Sequence, residues 1–351
     1  VATPPSLAIQ VQADRTVLAD ETAERAARMW RQADPDYLDA SWDAIAPALV
    51  GVIGGAQVTA AQQSRAFAGE LARQYESSGA LDIVPEAFAG VDVSGREVGP
   101  GMFGAVTLTK SLVGAGVSYE QAFAAGSTYL MAKAKSFVHD AGRQADIAAA
   151  GGKGWTRYVR VISPGACSRC AVLAGKAEYK TAFRRHPACR CTACPIEGDG
   201  SGPVPAGLYS DPREYFDSLT RAEQERVFTV DGAQAIRDGA DVSRVVNARR
   251  GMYETRGVVA TGEGTTFRSK WARDQNRGYT IGTGDRYRRT KQVRLMPEAI
   301  YKFAGDDAAL ARRLLFDNGY YSYSGLTRTE LVRIAGPDTA LRDRVLEAAG
   351  Y

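Results

Sequence analysis

The stretch Leu38-Asp-Ala-Ser-Trp42-Asp-Ala-Ile45-Ala-Pro47-Ala-Leu49-Val-Gly-Val52 carries its large apolar side chains at spacings of four, three, four and three. That period puts Leu38, Trp42, Ile45, Leu49 and Val52 on one face of an α-helix and excludes a strand, whose faces alternate at every residue. The uncharged run around it, from Ala44 to Ser64, is interrupted by Pro47, Gly51, Gly54, Gly55 and three glutamines. A spanning helix needs about 20 mainly apolar residues, so the run reads as a buried, kinked bundle helix and no membrane partner is expected. Further along, Phe67, Leu71 and Tyr75 repeat at four. Ser118 and Gln121 have capping-box spacing, and Phe123, Leu130 and Phe137 recur every seven residues. A Gly/Pro-rich link, Gly90 to Gly104, separates the helical runs. Residues 1–150 therefore read as a helical N-terminal domain, a packed bundle. They show no constellation of ionisable groups, and His139 reads as structural or solvated. Val1 to Gln10 has no basic start and no long apolar core, so no secretory signal is expected.

The whole chain has 351 residues, 45% apolar and 24% charged, with a formal net charge of +4. That composition excludes a disordered or collagen-like chain, and the length points to more than one core. The charge is unevenly placed. Residues 1–150 hold 17 acids and 11 bases, whereas residues 151–200 hold 9 bases and 3 acids. At Gly151 the texture changes too. Trp155 to Ile162 alternates and is β-branched, which predicts a strand. Residues 201–250 read as a helical segment, with capping patterns at Asp211-Pro212-Arg213-Glu214 and Thr220-Arg221-Ala222-Glu223. Residues 251–351 read as a basic, Gly/Arg-rich segment to 294, then short helices at 297–303, 307–316, 327–334 and 338–349. The expected fold class is mainly α, with a small α+β, zinc-knuckle-like module at 151–200.

All five cysteines and one of the two histidines fall within 28 residues, as Cys167-x2-Cys170-x15-His186-x2-Cys189-x-Cys191-x2-Cys194. A disulfide framework would spread its cysteines, so this spacing argues for one local site. Tetrahedral zinc takes two short-spaced ligand pairs, each thiolate about 2.3 Å from the ion. Cys167 and Cys170 form the first pair. His186 and Cys189 are the first choice for the second, with Cys191 and then Cys194 as alternates. Pro164-Gly165 suits a tight turn before Cys167. A metal-free thiol cluster is the competing reading. A catalytic Cys189 with His186 as its base is disfavoured, because nucleophile and base usually come from separate elements.

Ser163 to Lys176 and Phe183 to Cys191 together read C-x2-C-x2-L-x-G, an aromatic, then H-P-x-C-x-C with Pro195 nearby. This pattern resembles the phage Mu protein F-like (MuF) minor head protein family, over about residues 150–196. Val245 to Met252 and Arg294 to Tyr301 also resemble stretches of actinobacteriophage members. Cys194 lies outside the family pattern. The resemblance implies a minor capsid protein of a tailed double-stranded DNA phage. Such a protein is built into the procapsid near the portal in few copies, assists head assembly or genome delivery, and is found in the virion or, during assembly, the host cytoplasm. The implied partners are the portal and major capsid proteins.

Between Arg256 and Arg294 lie ten Lys/Arg and three acids. The cations Arg268, Lys270, Arg273, Arg277, Arg286, Arg288, Arg289, Lys291 and Arg294 alternate with Trp271, Tyr279 and Tyr287. That mixture suits non-specific contact with packaged double-stranded DNA; a solvated basic loop is the plainer reading. No phosphate-loop motif is present. Of the enzymatic alternatives, an HNH-like nuclease meets a shortage of histidine, and a C-terminal toxin domain in residues 251–351 shows no acid pair or nucleophile–base pair. No catalytic residue is expected, and the chain is read as a non-enzyme.

Overall fold

Helices dominate the computed structural model, which describes every residue except 1–2, 78–81, 163–165, 179–182, 187–188, 277–281, 283 and 324–325. Two small antiparallel sheets accompany them. The chain gathers into two compact units, Val1–Ala166 with Leu173–Ser210, and Asp211–Tyr351 with the Cys167–Val172 turn. The four segments seen in composition thus group into two. The strands of residues 151–200 lie in the same unit as the N-terminal helices, and residues 211–250 fold with the C-terminal hundred.

The first unit is built on α1 (Pro4–Trp30), α2 (Leu38–Gln74), α3 (Val98–Gly114) and α4 (Tyr119–Gly152). Thr3 caps α1 ahead of Pro4 and Pro5, and the Ser118 hydroxyl accepts from Gln121 N to cap α4. One face of α2 supplies Leu38, Trp42, Leu49 and Ile53 to a core shared with Trp30 of α1, Met102 and Val106 of α3, and Leu130 and Phe137 of α4. Leu38, Trp42 and Leu49 of the predicted stripe thus face the core, with Ile45 partly buried against it, and Ile53 rather than Val52 completes it. By length and composition α2 is apolar enough to cross a membrane, with a mean hydropathy of 1.6 over its most apolar window. It also carries two buried polar side chains, Gln57 and Ser64. Gln57 spends its amide on backbone, accepting from Gly90 N (2.7 Å) and donating to Val91 O (2.8 Å).

The Gly/Pro-rich link is shorter than expected. It ends at Glu97, and Gly99, Pro100, Gly101 and Gly104 lie inside α3. Close packing explains a helix there. A β-carbon at Gly104 would sit 2.3 Å from the Tyr129 hydroxyl, so the missing side chain lets α4 approach. Gly142 of α4 does the same for Arg15, whose Nε would meet a β-carbon at 2.6 Å. Gly142→Ala should therefore lower stability by about 1–3 kcal/mol through overpacking. The check is the urea midpoint, and an unchanged midpoint contradicts this packing.

After α4 the chain forms β1 (Arg157–Val161), β2 (Lys176–Glu178) and β3 (Thr192–Ile196), in the order β2-β1-β3. The predicted strand is β1. Trp155, Val161 and Cys194 of this segment bury against Ala8, Phe67, Leu71 and Ala150 of the helices. The Tyr75 hydroxyl donates to Pro195 O at 3.1 Å. This shared core is why the strands are no separate domain.

The second unit begins with α6 (Pro212–Ser218), α7 (Arg221–Phe228), α8 (Val230–Arg237) and α9 (Val242–Ala248), following the short turn α5 (Ser168–Ala171) of the cysteine loop. Asp211 caps α6, and Thr220 with Glu223 forms a reciprocal capping box. Residues 251–294, expected to lack regular structure, contain a three-stranded sheet: β4 (Met252–Thr255), β5 (Val258–Thr261) and β6 (Arg294–Leu295). The β4–β5 hairpin turns on Arg256 and Gly257, both at positive φ (50° and 73°), as a two-residue type I′ loop requires. An Arg at the first position is uncommon there, which hid the hairpin. Then come α10 (Lys270–Asp274), α11 (Pro297–Ala304), α12 (Ala308–Asp317), α13 (Arg328–Ala335) and α14 (Thr339–Ala349). The last four match the expected short helices, and Asp307, Thr327 and Asp338 cap three of them.

Candidate metal centre

Among the described residues, two groups of side chains could hold a metal ion. One is Cys167, Cys170 and His186; the other is Cys170, Cys189 and Cys191. Within each group the ligand atoms lie within 4.8 Å of one another. Two thiolates on one tetrahedral zinc stand about 3.8 Å apart, given a Zn–S bond of about 2.3 Å. Cys170 belongs to both. Cys189 is grouped with Cys191 rather than with His186, so the four first-choice ligands do not form one group. Cys170, Cys189, Cys191 and Cys194 are buried and Cys167 is partly exposed. The Pro164-Gly165 turn lies outside the described residues.

Cys194 stands apart for a reason of parity. It lies in β3 opposite Val159 of β1, two residues from Thr192, and so shares the Thr192 face of the strand. That face meets the helices: Thr192 reaches Arg15 and Asp146, and Cys194 joins the core with Trp155 and Leu71. Burial, and next the Asp146 charge, push its thiol up to about 12. It behaves as a small apolar side chain.

The loop carrying Cys189 and Cys191 is held from behind by charges that the sequence reading missed. Arg143 of α4 donates Nε–H to Cys191 O at 2.9 Å and also donates to Cys189 O. A third donation goes to Asp140 Oδ1 at 2.7 Å, and Arg185 closes on both oxygens of the same carboxylate. Arg143 is fully buried, and desolvation holds its pKa below the ordinary guanidinium value. Phe183 stacks beneath Arg160, whose Cζ lies 3.9 Å from the ring centre, while Arg143 lies 5.3 Å from it.

One turn further along α4, Asp146 grips Arg15 of α1 with two bonds of 2.6 and 2.7 Å. Arg15 also reaches Ser64 of α2 (2.7 Å) and Thr192 of β3 (2.8 Å), so four elements meet at one buried ion pair. The expectation of no ionisable constellation in residues 1–150 is therefore overturned. Arg15 and Asp146 are 131 residues apart, beyond the reach of any local spacing. A signal did exist: Phe137, Asp140, Arg143 and Asp146 continue the inward helical row at intervals of three. His139 sits beside this network, buried. Desolvation, then the Arg143 and Arg15 charges, push its pKa down to about 3. Of the two expected readings, structural or solvated, that burial fits the first and not the second.

The basic segment divides. Arg268, Lys270, Arg273, Arg286, Arg288, Arg289 and Lys291 are exposed. Arg277 and Tyr279 lie outside the described residues. Arg294 is buried, donating to Asn318 O and Glu263 O at 2.8 Å each with its guanidinium 4.7 Å from the Tyr320 ring centre. It is a structural arginine that cannot reach a phosphate. Trp271 is likewise buried, with its indole N–H on Asp317 O at 2.8 Å, which removes it from the stacking surface. No family model matches the chain, no curated protein matches it, and no solved structure matches it.

Proposed function

We propose that the chain is a minor head protein of a tailed double-stranded DNA phage, of the MuF-like kind, built into the procapsid near the portal and acting in head assembly or genome delivery. The observation that carries this reading is the motif itself, C-x2-C-x2-L-x-G followed by H-P-x-C-x-C, with Cys170, Cys189 and Cys191 gathered where a metal could join them. Thiolate and imidazole donors suit zinc, and four of the five candidates Cys167, Cys170, His186, Cys189 and Cys191 would hold it. Bound there, zinc would supply cross-linking of the loop, since a four-ligand site leaves no open position for water. The role is structural and interactive, with the portal and major capsid proteins as partners. Two further features favour it over catalysis: His139 is buried with its pKa near 3, and His186 sits among the thiols.

The test is fractionation of assembling heads. The chain should sediment with procapsids and co-purify with the portal protein. Heads that contain portal but lack the chain, at wild-type infectivity, overturn the reading.

A further inference from the structure

Two basic runs of the second unit, 268–273 and 286–291, are separated in sequence but zipped together in space. Phe267 N donates to Arg288 O (3.1 Å) and Thr290 N to Thr265 O (2.8 Å), with Thr266 and Arg289 as antiparallel bridge partners. The Asn276 amide ties α10 to the same pair of segments through Thr290 Oγ1 at 2.8 Å. Beyond this single bridge Arg268 lies in a turn and Tyr287 ends the short 3-10 helix Asp285–Tyr287. The Arg268 guanidinium lies 5.3 Å from the centre of the Tyr287 ring. Arg268, Lys270, Arg273, Arg286, Arg288 and Arg289 are all exposed, and Tyr287 is 70% exposed. Among the described residues, Arg288 alone of these six forms an ion pair, with Asp285 at 3.6 Å.

We infer that the surface of these two bridged segments is a non-specific binding face for the phosphate backbone of duplex DNA. Five of the six cations are arginines, whose planar fork suits two phosphate oxygens at once. They are held on a short, hydrogen-bonded scaffold rather than on a groove-reading helix, since α10 has only five residues. Recognition is therefore of charge density, which duplex DNA supplies at about one charge per 1.7 Å. The Arg268–Tyr287 stack keeps one guanidinium extended from the surface without a carboxylate partner. This face lies wholly within the second unit, and the inference stands independently of the head-protein reading.

The experiment is a binding titration of the full chain with a duplex of arbitrary sequence at 50 to 200 mM salt. Six phosphate contacts predict a log–log salt slope of about −5 and an affinity loss of about a thousandfold across that range. Replacing Arg268, Arg286 and Arg289 with Gln should flatten the slope by about 3. Replacing exposed cations elsewhere in the unit, Arg226, Lys302 and Arg328, with Gln removes the same charge and should leave the slope unchanged. Matched melting curves show that each variant is folded. Absence of binding at 50 mM salt, equal flattening by both triple variants, or stronger binding to single-stranded than to duplex DNA at equal phosphate overturns the inference.

Discussion

Asp146→Ala should destabilise the first unit by about 3–5 kcal/mol, because it strands a buried cation without a counter-charge. Arg15 is 1% exposed, and it holds α1 to α4, α2 and β3 through one guanidinium. Water cannot replace the lost carboxylate at that depth, and a domain has only about 5–15 kcal/mol in all. Urea denaturation followed by far-ultraviolet circular dichroism would read the loss. The double variant Arg15→Met with Asp146→Leu should recover most of it, because well-packed apolar replacements of buried ion pairs are near neutral. A loss below about 1 kcal/mol for the single change would mean that the pair is not what joins the four elements.

The second large effect is expected at Cys170→Ser. Cys170 is the thiol common to both metal-competent groups, so its loss breaks either ligand set. Metal content should fall to near zero. Cys194→Ser should leave it unchanged, since that sulfur sits among Trp155 and Leu71 on the helix-facing side of β3. Structural zinc contributes folding free energy of about 10 kcal/mol or more in small modules, but here the loop is also held from behind by Arg143 and Asp140. Melting of Cys170→Ser should therefore drop without collapse of the helices. Equal metal content in the two variants would contradict the assignment of ligands.

Much of this was legible in the chain. Leu38, Trp42 and Leu49 marked a core helix face, and Asp211, Thr220 and Thr327 announced helix starts that the structure places within a residue. Capping and helical periodicity are local, so they survive reading one sequence. What escaped was non-local or locally atypical. The β4–β5 hairpin was hidden by an Arg-Gly turn. The buried role of Arg294 depends on carbonyls at Asn318 and Glu263, 24 and 31 residues away. At the candidate centre, the spacing pointed to the Cys/His groups that could hold a metal ion, but strand parity decided that Cys194 turns away, and the arginines behind the loop left only a faint row on α4. The shared core also ties the strands that flank the cysteine segment to the helices, through Trp155, Val161 and Cys194.

Metal analysis of the purified full chain tests the central claim most directly. After reducing purification without chelator, the chain should carry about one zinc ion, and removing it should lower the melting temperature until zinc is restored. A folded, reduced chain with no bound metal, whose melting is indifferent to added zinc, would contradict the account.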